Sequence, residues 1–324
     1  MSHYHQISVG IVDRIHRQDF KSLAVKRSNL QSLSELLKKA EWAPLVATEL
    51  QSAFADLLSS VSPDPEGFRR MMKDTGAVIS GSMALHFVLR RPKSWNPGDM
   101  DLIAPKSRFA EVLDYVKTLP GASVTMDITS KDNARYPMQE VGFRRVVKVS
   151  TAQGAIDVIQ SKTESALYPI PFYWGTHVMN ALTWEACICA YPSLTLNHLA
   201  YVTARRDHPS TALAMAKYVA RGFTVLFEGR REQEVLRTAG YTTCGNTCGN
   251  VTRYFGDGDC LTVAIADGKL VWVRLRLEAM TVGWRLGGKG CGSRKCFVES
   301  GFMVGTMRLK ERGHVTFETA GNDA

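Results

Sequence analysis

The chain has 324 residues, 45% of them hydrophobic and 22% charged, a globular composition that excludes the disordered and collagen-like classes and allows one large or two ordinary domains. Forty Lys and Arg against 31 Asp and Glu give a formal charge of +9, which suits a phosphate-bearing partner, nucleotide or nucleic acid, without proving either. No run approaches the ~18 apolar residues that span a bilayer, and the opening MSHYHQISVGIVDRIHRQ has no apolar signal core. The expected location is therefore intracellular, cytoplasm or nucleus, with no membrane partner.

In chain order, residues 18–60 carry helix-forming, amphipathic material interrupted near Pro44, and Ser62-Pro-Asp-Pro65 marks a boundary. Residues 1–65 therefore read as a helical N-terminal extension. Ala77, Val78 and Ile79 are a short β-prone run that Ser80, Gly81 and Ser82 break. Residues 83–90 are free of Gly and Pro, so Gly81 and Ser82 stand where a helix begins and its first N–H groups lack partners. Such an end attracts phosphate. Arg90, Arg91 and Lys93 follow in a loop that Pro92, Asn96, Pro97 and Gly98 fill with turn residues. Asp99-Met-Asp-Leu102 then alternates as a strand, with Asp99 and Asp101 on one face and Met100 and Leu102 on the other. Two adjacent carboxylates repel unless a cation lies between them, and Mg²⁺ (or Mn²⁺) suits carboxylate and phosphate oxygens. The plainer alternative makes Ser80 to Ser82 only a helix start and the aspartates only polar residues at a strand end.

Residues 107–119 read as a helix. Residues 144–150 (RRVVKVS) and 155–160 (AIDVIQ) read as a hairpin with Asp157 inside the second strand. An acidic group among Ile156, Val158 and Ile159 is either solvent-facing or a third metal carboxylate, since an unpaired buried charge is costly. Tyr173, Trp174, His177 and Asn180, in IPFYWGTHVMNALT, either face a base, on which aromatic rings stack, or are ordinary core and loop residues. A helix-rich stretch runs over 195–236. Arg69-Arg70, Arg144-Arg145, Arg205-Arg206 and Arg230-Arg231 are dispersed and read as solvated surface.

Seven cysteines, an odd number, argue against a disulfide framework in an intracellular chain. Cys244-x3-Cys248 and Cys291-x4-Cys296 resemble paired zinc knuckles around a small β-rich unit, and these four form the simplest Zn²⁺ tetrad. Cys260 is a rival ligand. Otherwise the thiols are buried members of a small β module with strands at 261–265 and 270–277.

Gly81-Ser82, Asp99-Met100-Asp101 and Asp157 together resemble the nucleotidyltransferase superfamily of DNA polymerase β-like enzymes, poly(A) polymerases and tRNA nucleotidyltransferases. The segments ISGSMALHFVLR, WNPGDMDLIAP and IDVIQSKTESALYPIPFYWGTHVMNALT also resemble nucleotidyltransferase-fold proteins common in fungi, over roughly residues 70 to 300. That closer likeness brings no established activity. The superfamily resemblance implies that Gly81, Ser82 and neighbouring N–H groups hold the β and γ phosphates. It also implies that Asp99 and Asp101 bind the metal ions and that Asp157 helps activate an acceptor hydroxyl. A helical segment after the sheet would close over the nucleotide, touching it through Lys217 and Tyr218; otherwise these two are solvated helix positions. Sixteen residues lie between Ser82 and Asp99, more than the superfamily's usual interval.

The expected fold is α+β. A mixed-sheet nucleotidyltransferase core (66–190) is flanked by helices, with the helical extension (1–65), a helical segment (191–238) and a Cys-containing β-rich module (239–324). Two functions remain open. One is a metal-dependent transferase acting on a nucleoside triphosphate and an unknown acceptor such as RNA. The other is a catalytically inactive module of the same fold that binds nucleotide or nucleic acid. The three carboxylates favour the first, and the long interval favours the second.

Overall fold

The computed structural model describes residues 20–129, 142–202, 209–227, 249, 251–266, 282–287, 302–309 and 315–318. Residues 20–27 are helical, followed by α1 (Leu30–Leu37), α2 (Ala43–Ser59) and α3 (Pro65–Thr75). Local chemistry sets their ends. The Asn29 side chain accepts from Ser32 N–H and starts α1, and Pro44 falls in the first turn of α2, where its missing N–H costs nothing. Asp64 caps α3 by accepting from Gly67 N–H at 2.8 Å, and Gly76, at φ 72°, ends it in the left-handed conformation that favours glycine. The Ser62 to Pro65 boundary is thus a helix cap.

Next come β1 (Val78–Ser80), α4 (Gly81–Val88), β2 (Asp99–Ala104), a 3₁₀ turn (Lys106–Arg108), α5 (Phe109–Lys117), β3 (Ser123–Thr129), β4 (Phe143–Ser150), β5 (Ala155–Ser161), β6 (Asn180–Leu182) and β7 (Ala186–Cys189). After them follow α6 (Pro192–Leu196), β8 (Leu199–Tyr201), α7 (Pro209–Ala220), β9 (Thr224–Leu226), β10 (Arg253–Tyr254), β11 (Leu261–Ala264), β12 (Val282–Arg285), β13 (Met303–Leu309) and β14 (Val315–Glu318). Eight strands form a mixed sheet in the order β11-β7-β6-β1-β2-β5-β4-β3, in which only β2 and β5 are parallel. A second sheet has the order β10-β12-β13-β14, and β8 and β9 make a separate parallel pair. The protein is therefore α+β, with a large mixed sheet flanked by helices and a helical N-terminal region. Among the described residues no helix is long and apolar enough to cross a membrane.

Alternation along the strands gives the large sheet two unlike faces. Met100, Leu102, Val147, Val149, Ile156 and Val158 point to one, where α1, α2, α3 and α5 cover them with Leu33, Leu50, Phe54, Phe68, Phe109 and Val112, all at most 4% exposed. Val78, Ile103 and Ile159 point to the other, packing with Tyr168, Ile170, Phe172 and Trp284. The small sheet is fastened there by Arg253, which is 1% exposed. Its guanidinium pairs with Asp257 and donates to the Ala190 carbonyl at 2.8 Å, with its Cζ 4.8 Å from the Tyr191 ring.

Several elements differ from the expectation in detail. The 195–236 stretch holds β8 and β9 as well as α7. The predicted 261–265 strand is present as β11, which extends the edge of the large sheet against β7. Strands β3, β6, β7, β10, β12, β13 and β14 were not foreseen individually, and the expected 270–277 strand lies outside the described residues.

A candidate carboxylate site on the mixed sheet

On the second face, the apolar surface stops where β1, β2, β5 and β4 each place a polar residue in line. Ser80 is opposite Asp101, Asp101 is opposite Asp157, and Asp157 is opposite Lys148. Residues directly opposite across neighbouring strands share a face, and Asp99, two residues before Asp101, shares it too. The three aspartates named from the sequence are thereby brought together. Lys148 is the addition: its Nζ lies 3.2 Å from Asp157 Oδ2 and 3.8 Å from Asp99 Oδ2. It was legible in the hairpin. Thr151 N–H donates to Gly154 O across the turn, and counting outward from that pair sets Lys148 against Asp157.

Close approach shapes the Asp101 position. Gly81 has φ 60°, and a Cβ there would meet Asp101 Oδ2 at 1.9 Å, so only glycine admits this carboxylate beside the first turn of α4. Every residue of α4 is buried, which anchors its N-terminal end. Ser82 Oγ and Asp157 Oδ1 are buried with no hydrogen-bond partner among the described residues. Ser80 Oγ donates to the Asn180 carbonyl at 2.6 Å and Asn180 Nδ2 donates to the His177 carbonyl, holding β1 to the segment beyond it.

Crowded charge shows in the titration of the cluster. Burial, then the charges of Asp99 and Asp157, push Asp101 up to about 7 against the pull of Lys217 and Lys148. Burial also raises Asp157, although Lys148 opposes it. Burial raises the phenols of Tyr173 and Tyr218, and Asp101 and Asp99 add to both. These tyrosines and Lys217 therefore lie within electrostatic reach of the carboxylates. Lys217 is exposed, while Tyr218 is 4% exposed and packs on His177, whose ring centroid is 4.3 Å away. His177 is fully buried among Trp174, Tyr218 and Phe223, and burial pushes its imidazole down to about 3. It is held neutral inside an aromatic box.

The long interval before Asp99 has a structural role that the sequence reading missed. Arg90 and Arg91 occupy left-handed conformations at φ 60° and 56°, at a cost on the order of 1 kcal/mol each. They turn the chain while pairing with Glu49 and Asp56 of α2 at 2.6 and 2.8 Å. The loop then presents Trp95, whose ring lies 4.1 Å from the Arg221 Cζ just beyond α7, and Asn96 O, which accepts from Arg221 Nη2 at 3.4 Å. The extra residues fasten α7, with Lys217 and Tyr218, beside the carboxylates.

Among the described residues no three His, Cys, Asp or Glu side chains stand together as a ready metal cage. The donor set nevertheless fits Mg²⁺, which takes one or two carboxylates and completes its shell with substrate phosphates and water. An unpartnered buried carboxylate oxygen on Asp157 and a cation already held between Asp99 and Asp157 mark the same preference. The expected zinc ligands Cys244, Cys248, Cys291 and Cys296 lie outside the described residues. Cys260 is described, with its Sγ 3.5 Å from the Arg253 Nη2 that donates to it, a position where a second cation would be repelled.

No protein family matches the chain, and no curated protein matches it. One solved structure, described as a tRNA-processing enzyme in an apo form, aligns with 55% of this chain and 47% of its own at 14% identity and a TM-score of 0.33. A likeness that loose carries no argument about fold or activity.

Proposed function

We propose that the chain is a metal-dependent nucleotidyltransferase, moving a nucleoside monophosphate from a nucleoside triphosphate to a hydroxyl of RNA, a small molecule or a protein. The observation that carries this reading is the register of the parallel pair: Asp101 stands opposite Asp157, with Asp99 on the same face, and Asp101 abuts the glycine that opens α4.

In this reading the acceptor oxygen bonds to the α-phosphorus, the α–β phosphoanhydride bond breaks, and pyrophosphate leaves. Ser82 Oγ and the free N–H groups at the start of α4 donate to the β and γ phosphates, which the end of a helix favours. Asp99, Asp101 and Asp157 would hold Mg²⁺ or Mn²⁺, which supplies positive charge to the attacking and leaving oxygens. Asp157, with one oxygen unpartnered, accepts the acceptor's proton. Lys217 provides charge at the open side, and Tyr173 and Tyr218 wall the site.

Incubation with each labelled triphosphate, Mg²⁺ or Mn²⁺ and total cellular RNA and protein tests this. Transfer by the wild type that falls by about 10³-fold or more in Asp99→Ala, Asp101→Ala is the expected outcome, equivalent to roughly 4 kcal/mol of lost transition-state stabilisation. A second reading, a catalytically inactive module that binds nucleotide or nucleic acid, is favoured by one observation: Lys148 already pairs with Asp99 and Asp157. Triphosphate binding without transfer to any acceptor would select it.

A further inference from the structure

We infer that Lys148 is the resident counter-ion of the carboxylate site, that a divalent metal enters only by displacing its ammonium, and that triphosphate promotes this exchange by offering the ammonium a new anionic partner. The inference rests on the metal-dependent reading above and concerns how the site is loaded.

Four observations lead to it. Lys148 is fixed opposite Asp157 by the β4–β5 register, so its side chain rises from the same face as the aspartates. Its Nζ lies near two of the three carboxylates, Asp157 of β5 at 3.2 Å and Asp99 of β2 at 3.8 Å, the same groups that would hold a metal. Lys217, although within electrostatic reach of Asp101, makes no ion pair with these carboxylates among the described residues, which leaves Lys148 as the neutralising contact. Among the described residues these carboxylates form no ready three-ligand metal cage as they stand.

The energetics follow from charge. A metal and an ammonium within about 4 Å of the same oxygens repel each other, so metal entry must include the cost of breaking both Lys148 contacts. A lysine suits this exchange. Its four-carbon stem lets the ammonium swing while Cα stays in the strand, and its three donors find new acceptors on phosphate oxygens. Metal and nucleotide binding are then positively coupled, each strengthening the other by the same factor. The residue acts by positioning and exclusion.

Mn²⁺ binding to the full chain, followed by the loss of the free-ion electron paramagnetic resonance signal, tests the inference. It is measured alone and with the α,β-methylene analogues of ATP, GTP, CTP and UTP in turn. Lys148→Met and Lys148→Gln are expected to bind Mn²⁺ alone at least about tenfold more tightly than wild type. They should also lose most of the gain that a triphosphate analogue gives the wild type. Lys148→Arg, which keeps the charge, is expected to retain weak binding of the free ion. The two neutral variants guard against a misfolded one, since circular dichroism identifies which is native. If native neutral variants bind Mn²⁺ no more tightly than wild type, while Asp99→Ala, Asp101→Ala abolishes binding, the counter-ion role is overturned and the metal site stands. Absence of Mn²⁺ binding in every variant, with and without analogue, overturns both.

Discussion

The two faces of the large sheet are built from the same strands, one residue out of step. On β2 the helix-covered face takes Met100 and Leu102, each fully buried, and the opposite face takes Asp99, Asp101 and then Ile103. On β5 the same alternation sets Ile156 and Val158 against Asp157 and Ile159. Six residues of β2 thus carry both a share of the core and the whole of an acidic pair. What differs is how each face is satisfied. The first is closed mainly by apolar contact; the second is left with a partly neutralised cluster and, among the described residues, an unpartnered carboxylate oxygen and an unpartnered serine hydroxyl. Buried polar groups are normally paired, so unpartnered ones on one face of an otherwise well-packed sheet are the feature that the proposed function accounts for.

The sharpest way to break the comparison is to cut neighbouring residues that face opposite ways. Leu102→Ala removes a fully buried side chain from the helix-covered face and should cost about 2–5 kcal/mol, because the void lies among helices that cannot all collapse into it. Asp101→Ala, one residue earlier, removes a crowded carboxylate and should leave the urea midpoint unchanged or raised at pH 8. Equal destabilisation by both would mean that the two faces play the same structural part. The loading test on Lys148 sharpens the same contrast, because it removes the cation that pairs with Asp99 and Asp157 on the polar face.

Much of this was legible in the residues. DMDLIA announces a strand whose first two odd positions are acidic, AIDVIQ repeats the pattern once, and the hairpin turn at Thr151 to Gly154 aligns it with β4. The strands β6 and β7 were not legible, since three and four residues buried throughout show no alternation to distinguish a strand from a buried loop. Nor was the fate of Arg90 and Arg91. They read as a basic loop cluster between the two motifs, but their partners Glu49 and Asp56 lie 41 and 35 residues away on a helix whose docking only the tertiary fold determines. Tyr218 looked like a surface position because the amphipathic pattern of α7 is weak; the aromatic box of Trp174, His177 and Phe223 decides its burial.

The polar face also predicts its own pH dependence. Asp101 is raised to about 7 in the folded protein from 3.8, first by burial and then by Asp99 and Asp157. Between those values the folded state holds a proton that the unfolded state has released, so stability falls as pH rises from about 4 to about 7 and levels off above. Asp101→Asn removes the titration. In chelator, without divalent ions, the variant should match wild type near pH 4 and exceed it at pH 8. The ceiling is about 4 kcal/mol at 1.36 kcal/mol per pKa unit, lowered by the partial exposure of the carboxylate to solvent. Urea denaturation at pH 4, 6 and 8 measures it, and parallel pH curves for the two proteins would refute the assignment of the raised proton to Asp101.

The smallest effect concerns how the two faces are covered. The helix side is covered mainly by side chains in apolar contact, with cations no nearer than 5.5 Å to the Phe54 and Phe109 rings, whereas α7 is fastened near the carboxylates partly by a closer cation on aromatic rings: the Arg221 Cζ lies 4.1 Å from the Trp95 ring and 5.0 Å from that of Tyr218. Contacts of this kind are worth about 0.5–2 kcal/mol. Trp95→Leu keeps an apolar side chain in the loop but removes the ring, so the global unfolding midpoint should move little. Local opening should change instead. Amide exchange in α7 should quicken by roughly 2- to 30-fold, following from that energy at 1.4 kcal/mol per tenfold. Exchange in α2 and α5, on the other side of the sheet, should stay at the wild-type rate. A uniform change across α2, α5 and α7 would mean that the two coverings open together and that the inter-motif loop has no separate part in holding α7 over the site.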